Sequence, residues 1–219
     1  ESESFSDSDG SDNTFQSSPS QITTDFSDTK AKVTQNWDAN TELTTTFTAQ
    51  TDGSMDIVQS MYAKEGGISD VSFRITVPMK YSVIIPAWDG ICLNEEHPEI
   101  YDKRTYLAYP REWQAQMFLI QGTNGGVLVH ARDAGTQFKG LNITNDGENF
   151  YLDVHTVPQA PFTDYTNFET VTWSVIPYKG DWIDGTLLYK AYSNETFRLD
   201  EAAISQPDWV DDIDNLLFR

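Results

Sequence analysis

Cysteine is almost missing from the 219-residue chain; Cys92, in the apolar run Ile91-Cys92-Leu93, is the only one. A single thiol excludes a disulfide framework within the chain, and the three histidines bring no clustered Cys/His zinc pattern with it. Cys92 itself reads as a small buried hydrophobe, with a reactive thiol as the alternative. Cations are scarce too: 14 Lys and Arg stand against 34 Asp and Glu, for a net charge of −20. Such an excess repels polyanions and argues against nucleic acid or an anionic membrane surface as a partner. It favours a soluble protein and suits a saline, extracellular or cell-surface setting. Long apolar runs are also lacking. Nothing approaches the roughly 20 residues of a membrane span, so no membrane insertion is expected. No signal-peptide pattern is present, and an opening on Glu1 in place of Met suggests a processed chain.

What is there begins with Ser and Asp. Residues 1–28 carry scattered aromatics without periodicity and cannot bury enough apolar surface to offset their ordering entropy, so they read as a disordered acidic leader. From residue 29 to 178 the texture is β-branched and aromatic, broken by Gly, Asn and Asp. Strands are expected over Ala31–Trp37, Glu42–Gln50, Met55–Ala63, Val71–Pro78 and Tyr81–Ile85, then Gln114–Gln121, Gly126–Arg132, Phe138–Ile143, Phe150–Val157 and Glu169–Pro177. Alternation is clearest in Val71-Ser72-Phe73-Arg74-Ile75-Thr76-Val77, which puts the four apolar residues on one face. Thr51-Asp52-Gly53-Ser54, Glu65-Gly66-Gly67 and Asn124-Gly125-Gly126 read as hairpin turns. Ile91 to Arg111 is polar and irregular, and reads as a functional or edge-covering loop. No repeated βαβ spacing occurs, so the fold class is all-β: an antiparallel sandwich of two large twisted sheets, with more strands than an immunoglobulin-like module.

Residues 179–219 differ. In Lys179-Gly180-Asp181-Trp182-Ile183-Asp184-Gly185-Thr186-Leu187-Leu188-Tyr189-Lys190-Ala191-Tyr192, the residues Trp182, Thr186, Tyr189 and Tyr192 fall near one helical face, with Ile183, Leu187 and Leu188 beside it. Asp181 or Asp184 can cap the N-terminus. Pro207 and Trp209-Val210 follow as an extended, apolar-anchored stretch.

The run Gly180 to Tyr192 resembles the GDW-x-D junction of multidomain glycoside hydrolases, in particular the endo-α-N-acetylgalactosaminidase-like group and its relatives. Val83-Ile84-Ile85-Pro86-Ala87-Trp88-Asp89-Gly90 resembles a strand end of their sandwich domain. Tyr109-Pro110, Gln114-Ala115-Gln116-Met117-Phe118 and Gly126 to Asp133 resemble one of its strand pairs. The likeness spans about residues 70–215. It implies a β-supersandwich similar to galactose mutarotase, joined by a C-terminal junction helix to a (β/α)8 catalytic barrel. Catalytic carboxylates sit on that barrel, so the resemblance assigns no catalytic residue here and makes the chain an accessory domain. Trp182, Tyr189 and Trp209 are then expected at the interface with the catalytic domain.

A glycan or polysaccharide is the partner this reading implies. Stacking of exposed rings on sugar C–H faces, flanked by planar polar groups, points to Trp88 and Asp89, Trp113 and Gln114, and His130, Arg132 and Asp133. For each Trp the alternative is core or interface packing; for His130 and His155 it is a satisfied core or surface histidine. No cofactor is called for. Asp146-Gly147-Glu148-Asn149 has oxygens for calcium but reads first as a turn, so no metal is assigned. The rival functions are an autonomous carbohydrate-binding module and a structural or adhesion domain of a surface protein.

Overall fold

The computed structural model describes residues 18–100 and 105–199. The expected leader up to residue 17, and the linker that holds Trp209, lie outside the described residues.

Strands β1 (Gln21–Phe26), β2 (Lys30–Asp38), β3 (Thr41–Ala49) and β4 (Met55–Ala63) form an antiparallel meander. The chain crosses to a second sheet for β5 (Val71–Pro78) and returns for β6 (Ser82–Ile85) and β7 (Ile91–Leu93). β8 (Tyr106–Tyr109) lies in the second sheet, whereas β9 (Met117–Gln121) and β10 (Gly125–Arg132) lie in the first. β11 (Lys139–Asn145) and β12 (Asn149–Thr156) rejoin the second; β13 (Asn167–Glu169) and β14 (Thr172–Lys179) rejoin the first. Helix α1 (Trp182–Phe197) follows. The larger sheet has ten strands, ordered β1-β2-β3-β4-β14-β10-β9-β6-β7 with β13 also on β4; the smaller has four, ordered β5-β12-β11-β8. Every pairing is antiparallel. The expected two-layer β-sandwich with a C-terminal helix is the fold observed.

Period-two patterning builds the layers. On β12, Phe150, Leu152 and Val154 are wholly buried while Tyr151, Asp153 and His155 face outward. They meet Val83, Ile85, Phe118, Val129 and Ala131 of the larger sheet in one core. Trp113 and Trp173 stack inside it, 6.1 Å apart and 11° from parallel. β10 is buried on both faces, which explains its near-continuous apolar run. Val129 and Ala131 face the smaller sheet; Leu128 joins Met117 and Leu119 in a second cluster against Tyr189 of α1.

The Gly180-Asp181-Trp182-Ile183-Asp184 stretch is a capping device. Gly180 takes a left-handed conformation (φ 95°). Asp181 is the N-cap, its carboxylate accepting from the Ile183 N–H at 2.9 Å, and Asp184 accepts from the Asp181 N–H at 3.1 Å. Among the described residues no helix is long and apolar enough to cross a membrane.

Several expectations are corrected. The expected leader 1–28 overruns strand β1, which pairs with β2 over Gln21–Phe26. Its backbone bonds to a neighbour supply order that its exposed side chains do not signal. Glu65-Gly66-Gly67 is no hairpin turn, because β4 and β5 belong to different sheets. The expected irregular loop from Ile91 to Arg111 contains β7 and β8, each too short to display alternation. Cys92 is exposed, since β7 is an edge strand whose alternate residues face solvent.

Candidate functional site

A concavity lies at the end of β6. Ile85 and Ala87 are fully buried, and the Ala87–Gly90 turn closes with the Gly90 N–H donating to the Ala87 carbonyl at 2.9 Å. Gly90 has φ 96° and Trp88 φ 49°, a conformation that turns the indole outward; Trp88 remains 39% exposed. Trp88 and Asp89 line a cleft of about 550 Å³, together with Cys92, Glu99 and Ile100. The ring supplies a stacking face, and the two carboxylates supply acceptors for hydroxyls.

The remaining expected glycan contacts are elsewhere. Trp113 is wholly buried, its indole N–H donating to the Met117 carbonyl at 2.8 Å, so it has no face to offer a sugar. The backbones of Ala87 and Trp113 form a bridge, and the next residue, Gln114, is exposed. None of Trp113, Gln114, His130, Arg132 and Asp133 lines the cleft.

His130 is 2% exposed beneath α1, its ring 4.7 Å from that of Tyr192 and 5.8 Å from that of Tyr189. Burial pushes its pKa down to about 4. Arg132 is exposed and reaches Asp56 at 3.4 Å. Asp133 is a structural hub: it accepts from the Gly135 and Gln137 N–H groups at 2.8 and 2.6 Å and pairs with Lys139, whose side chain is fully buried. Burial pushes the Asp133 carboxyl up, but the Lys139 ammonium and the backbone donors outweigh it and hold the group below its usual range. Burial lowers Lys139, against the pull of the same carboxylate. His130 and Asp133 therefore serve the interior, and their expected place in a sugar site is corrected on burial. Asp146 is likewise occupied: it accepts from the Glu148 and Asn149 N–H groups and from the Tyr151 hydroxyl. Among the described residues no cluster of three or more His, Cys, Asp or Glu could hold a metal.

The helix shows two faces. Gly185 and Ser193 are buried, and Tyr189 accepts from the Gln116 N–H at 3.2 Å. Tyr189 thus packs inward on its own sandwich, against the expectation that it meets another domain. Trp182, Ile183, Leu187 and Leu188 are 48, 50, 54 and 41% exposed. Sequence reasoning missed Glu99 and Cys92 in the cleft, and an Asp70–His155 pair on the smaller sheet; no spacing signal linked those residues along the chain.

No protein-family model matches the chain, and no curated protein sequence matches it. Solved structures do. The α-N-acetylgalactosaminidase NagBb from Bifidobacterium bifidum, in its GalNAc complex, aligns with TM-score 0.60 at 13% identity, over 81% of this chain and 31% of that one. Its ligand-free form aligns with TM-score 0.56 at 12% identity over the same shares. A galactose mutarotase related enzyme from Lactobacillus acidophilus matches with TM-score 0.43 at 12% identity, over 74% of this chain and 72% of that one. The likeness to NagBb is one of fold, and the chain spans about a third of that enzyme's length.

Proposed function

We propose that this chain is a non-catalytic accessory sandwich of a glycoside hydrolase-like protein, supporting a catalytic barrel of the same protein and contacting glycan or polysaccharide at the Trp88–Asp89 cleft. The observation that carries the reading is the outward face of α1. A helix that already packs Gly185, Tyr189 and Ser193 on its own sheet still leaves Trp182, Ile183, Leu187 and Leu188 in solvent, an apolar group of the kind that marks a contact surface. The partial coverage of a glycosidase by this fold supports the same reading. The acidic composition supports a place outside the cell or on its surface.

Incubated alone with glycans, the chain should release no reducing ends; release without an added domain overturns the proposal. In the protein with its catalytic domain present, Leu187→Asp should lower glycan release while the sandwich stays folded by circular dichroism. The exposed Trp88 also favours a second reading, an autonomous carbohydrate-binding module. That reading expects measurable glycan affinity for the chain alone, lost in Trp88→Ala.

A further inference from the structure

Strand β1 closes one end of the larger sheet, and all six of its residues are exposed. Beyond it the Ser27 N–H donates to the Lys30 carbonyl at 2.8 Å, which fixes the phase of the β1–β2 hairpin. Antiparallel pairs alternate between those that exchange both backbone bonds and those that exchange none. Counted from that closing pair, Asp25, Thr23 and Gln21 bond to Lys32, Thr34 and Asn36, whereas Phe26, Thr24 and Ile22 turn their N–H and C=O groups to the open rim. The same three residues form the apolar side of the strand. They stand in register with Ala31, Val33 and Gln35, and then with Phe47, Thr45 and Leu43, on the face that leads to the core between the sheets. Ile22 and Phe26 are 58 and 71% exposed. Sheet edges are commonly guarded by Lys, Pro or a short length. β1 has six residues and neither Lys nor Pro.

We propose that β1 pairs antiparallel with β1 of a second copy of this chain, about a two-fold axis at Thr24. Thr24 then meets the partner's Thr24, Ile22 meets the partner's Phe26, and Phe26 meets the partner's Ile22. Apolar residues face apolar ones, and each rim group meets its complement. The polar face agrees. Asp25 lies across from the partner's Thr23, whose hydroxyl can donate to it, and keeps Lys32 on its other side. No acid opposes an acid, which matters for self-contact in a chain of net charge −20. Neighbouring registers are worse: an axis at Asp25 sets the two aspartates against each other, and one at Thr23 sets Phe26 against the partner's Ser20. A contact one strand wide lies at the small end of interface sizes, so the dimer belongs to the micromolar range. It is independent of the accessory role, because α1 packs on β9, β10 and β14, on the other side of β4 from this rim.

The test is sedimentation of the whole chain from about 1 to 500 μM, a range that brackets micromolar dissociation. The mass should rise from the 24.8 kDa of one chain towards twice that value. Thr24→Pro removes an N–H that points to the rim and takes nothing from the β1–β2 ladder, so the fold should survive with the melting temperature of the dilute monomer unchanged. Losing both bonds at the axis should raise the dimer dissociation constant about thirtyfold. With Cys92 replaced by Ser, Thr24→Cys should give a disulfide-linked dimer in oxidised glutathione, since residues opposed in a bonded pair lie within disulfide reach; Thr23→Cys should not. A mass that stays at 24.8 kDa throughout overturns the proposal. So does equal cross-linking at both positions, or a dimer that keeps its affinity in Thr24→Pro and loses it in Leu187→Asp, which would put the contact on α1.

Discussion

Acidification should weaken the sandwich through His130, a ring sealed under α1 with 2% exposure. Burial drives its pKa from 6.5 to about 4, against a weaker upward pull from the Ala131 carbonyl. Above 6.5 the folded and unfolded chains both hold a neutral ring, so His130 adds no pH dependence there. Between 6.5 and 4 the unfolded chain binds a proton that the folded one refuses. Stability then falls by about 1.4 kcal/mol per pH unit, reaching roughly 3 kcal/mol near pH 4 and levelling off below. That is a large share of the ~5–15 kcal/mol typical of a domain. Urea unfolding of the chain and of His130→Gln, from pH 7 down to 4, isolates the effect, because the carboxylates and the other histidines titrate alike in both proteins. The variant loses packing against Tyr192 at every pH, but its deficit should shrink by about 3 kcal/mol on acidification. A deficit that stays constant, or an imidazole signal of His130 titrating near 6.5, refutes the reasoning.

Three further outcomes follow from burial and capping. Trp113→Ala should cost about 3–5 kcal/mol in urea unfolding, as expected for emptying a core site, whereas Trp88→Ala should stay within about 0.5 kcal/mol. Lys139→Met strands the Asp133 carboxylate without its cation and should destabilise by about 3–5 kcal/mol, with the Asp133 pKa rising by NMR. Asp181→Ala removes the N-cap of α1 and should lower stability by about 1 kcal/mol, visible as a lower melting temperature.

The fold was legible where one residue type repeats at a fixed period. Val71–Pro78 is legible at its observed bounds, because alternation declares both the strand and its buried face; Met55–Ala63 is legible as a strand, but not its inward face, since Gln59 is buried where Val58 is only partly so. β7 and β8, at three and four residues, are held by neighbours more than by pattern. The turn to α1 was readable from Gly180-Asp181 and Asp184, since caps act locally. Which side of the helix would face inward was not, because Tyr189 and Leu188 are adjacent and both large; the sheet's Met117, Leu119 and Leu128 decide it. Trp88 and Trp113 looked alike in sequence. The Ala87–Gly90 turn throws one outward, and the backbone bridge at Ala87 turns the other in. Asp70 and His155 are 85 positions apart, and only the β5–β12 register brings them to one place.

The placing of β14 between β4 and β10 governs how the molecule is assembled. Until Thr172–Lys179 has been synthesised, the larger sheet exists as two separate ribbons with open hydrogen-bonding rims. Long-range closure of this kind slows folding and leaves unpaired strands at risk of aggregation on the ribosome or after proteolytic nicking. A nascent chain of this protein therefore gains its integrity late and all at once, when one strand zips the halves together and α1 immediately covers the seam.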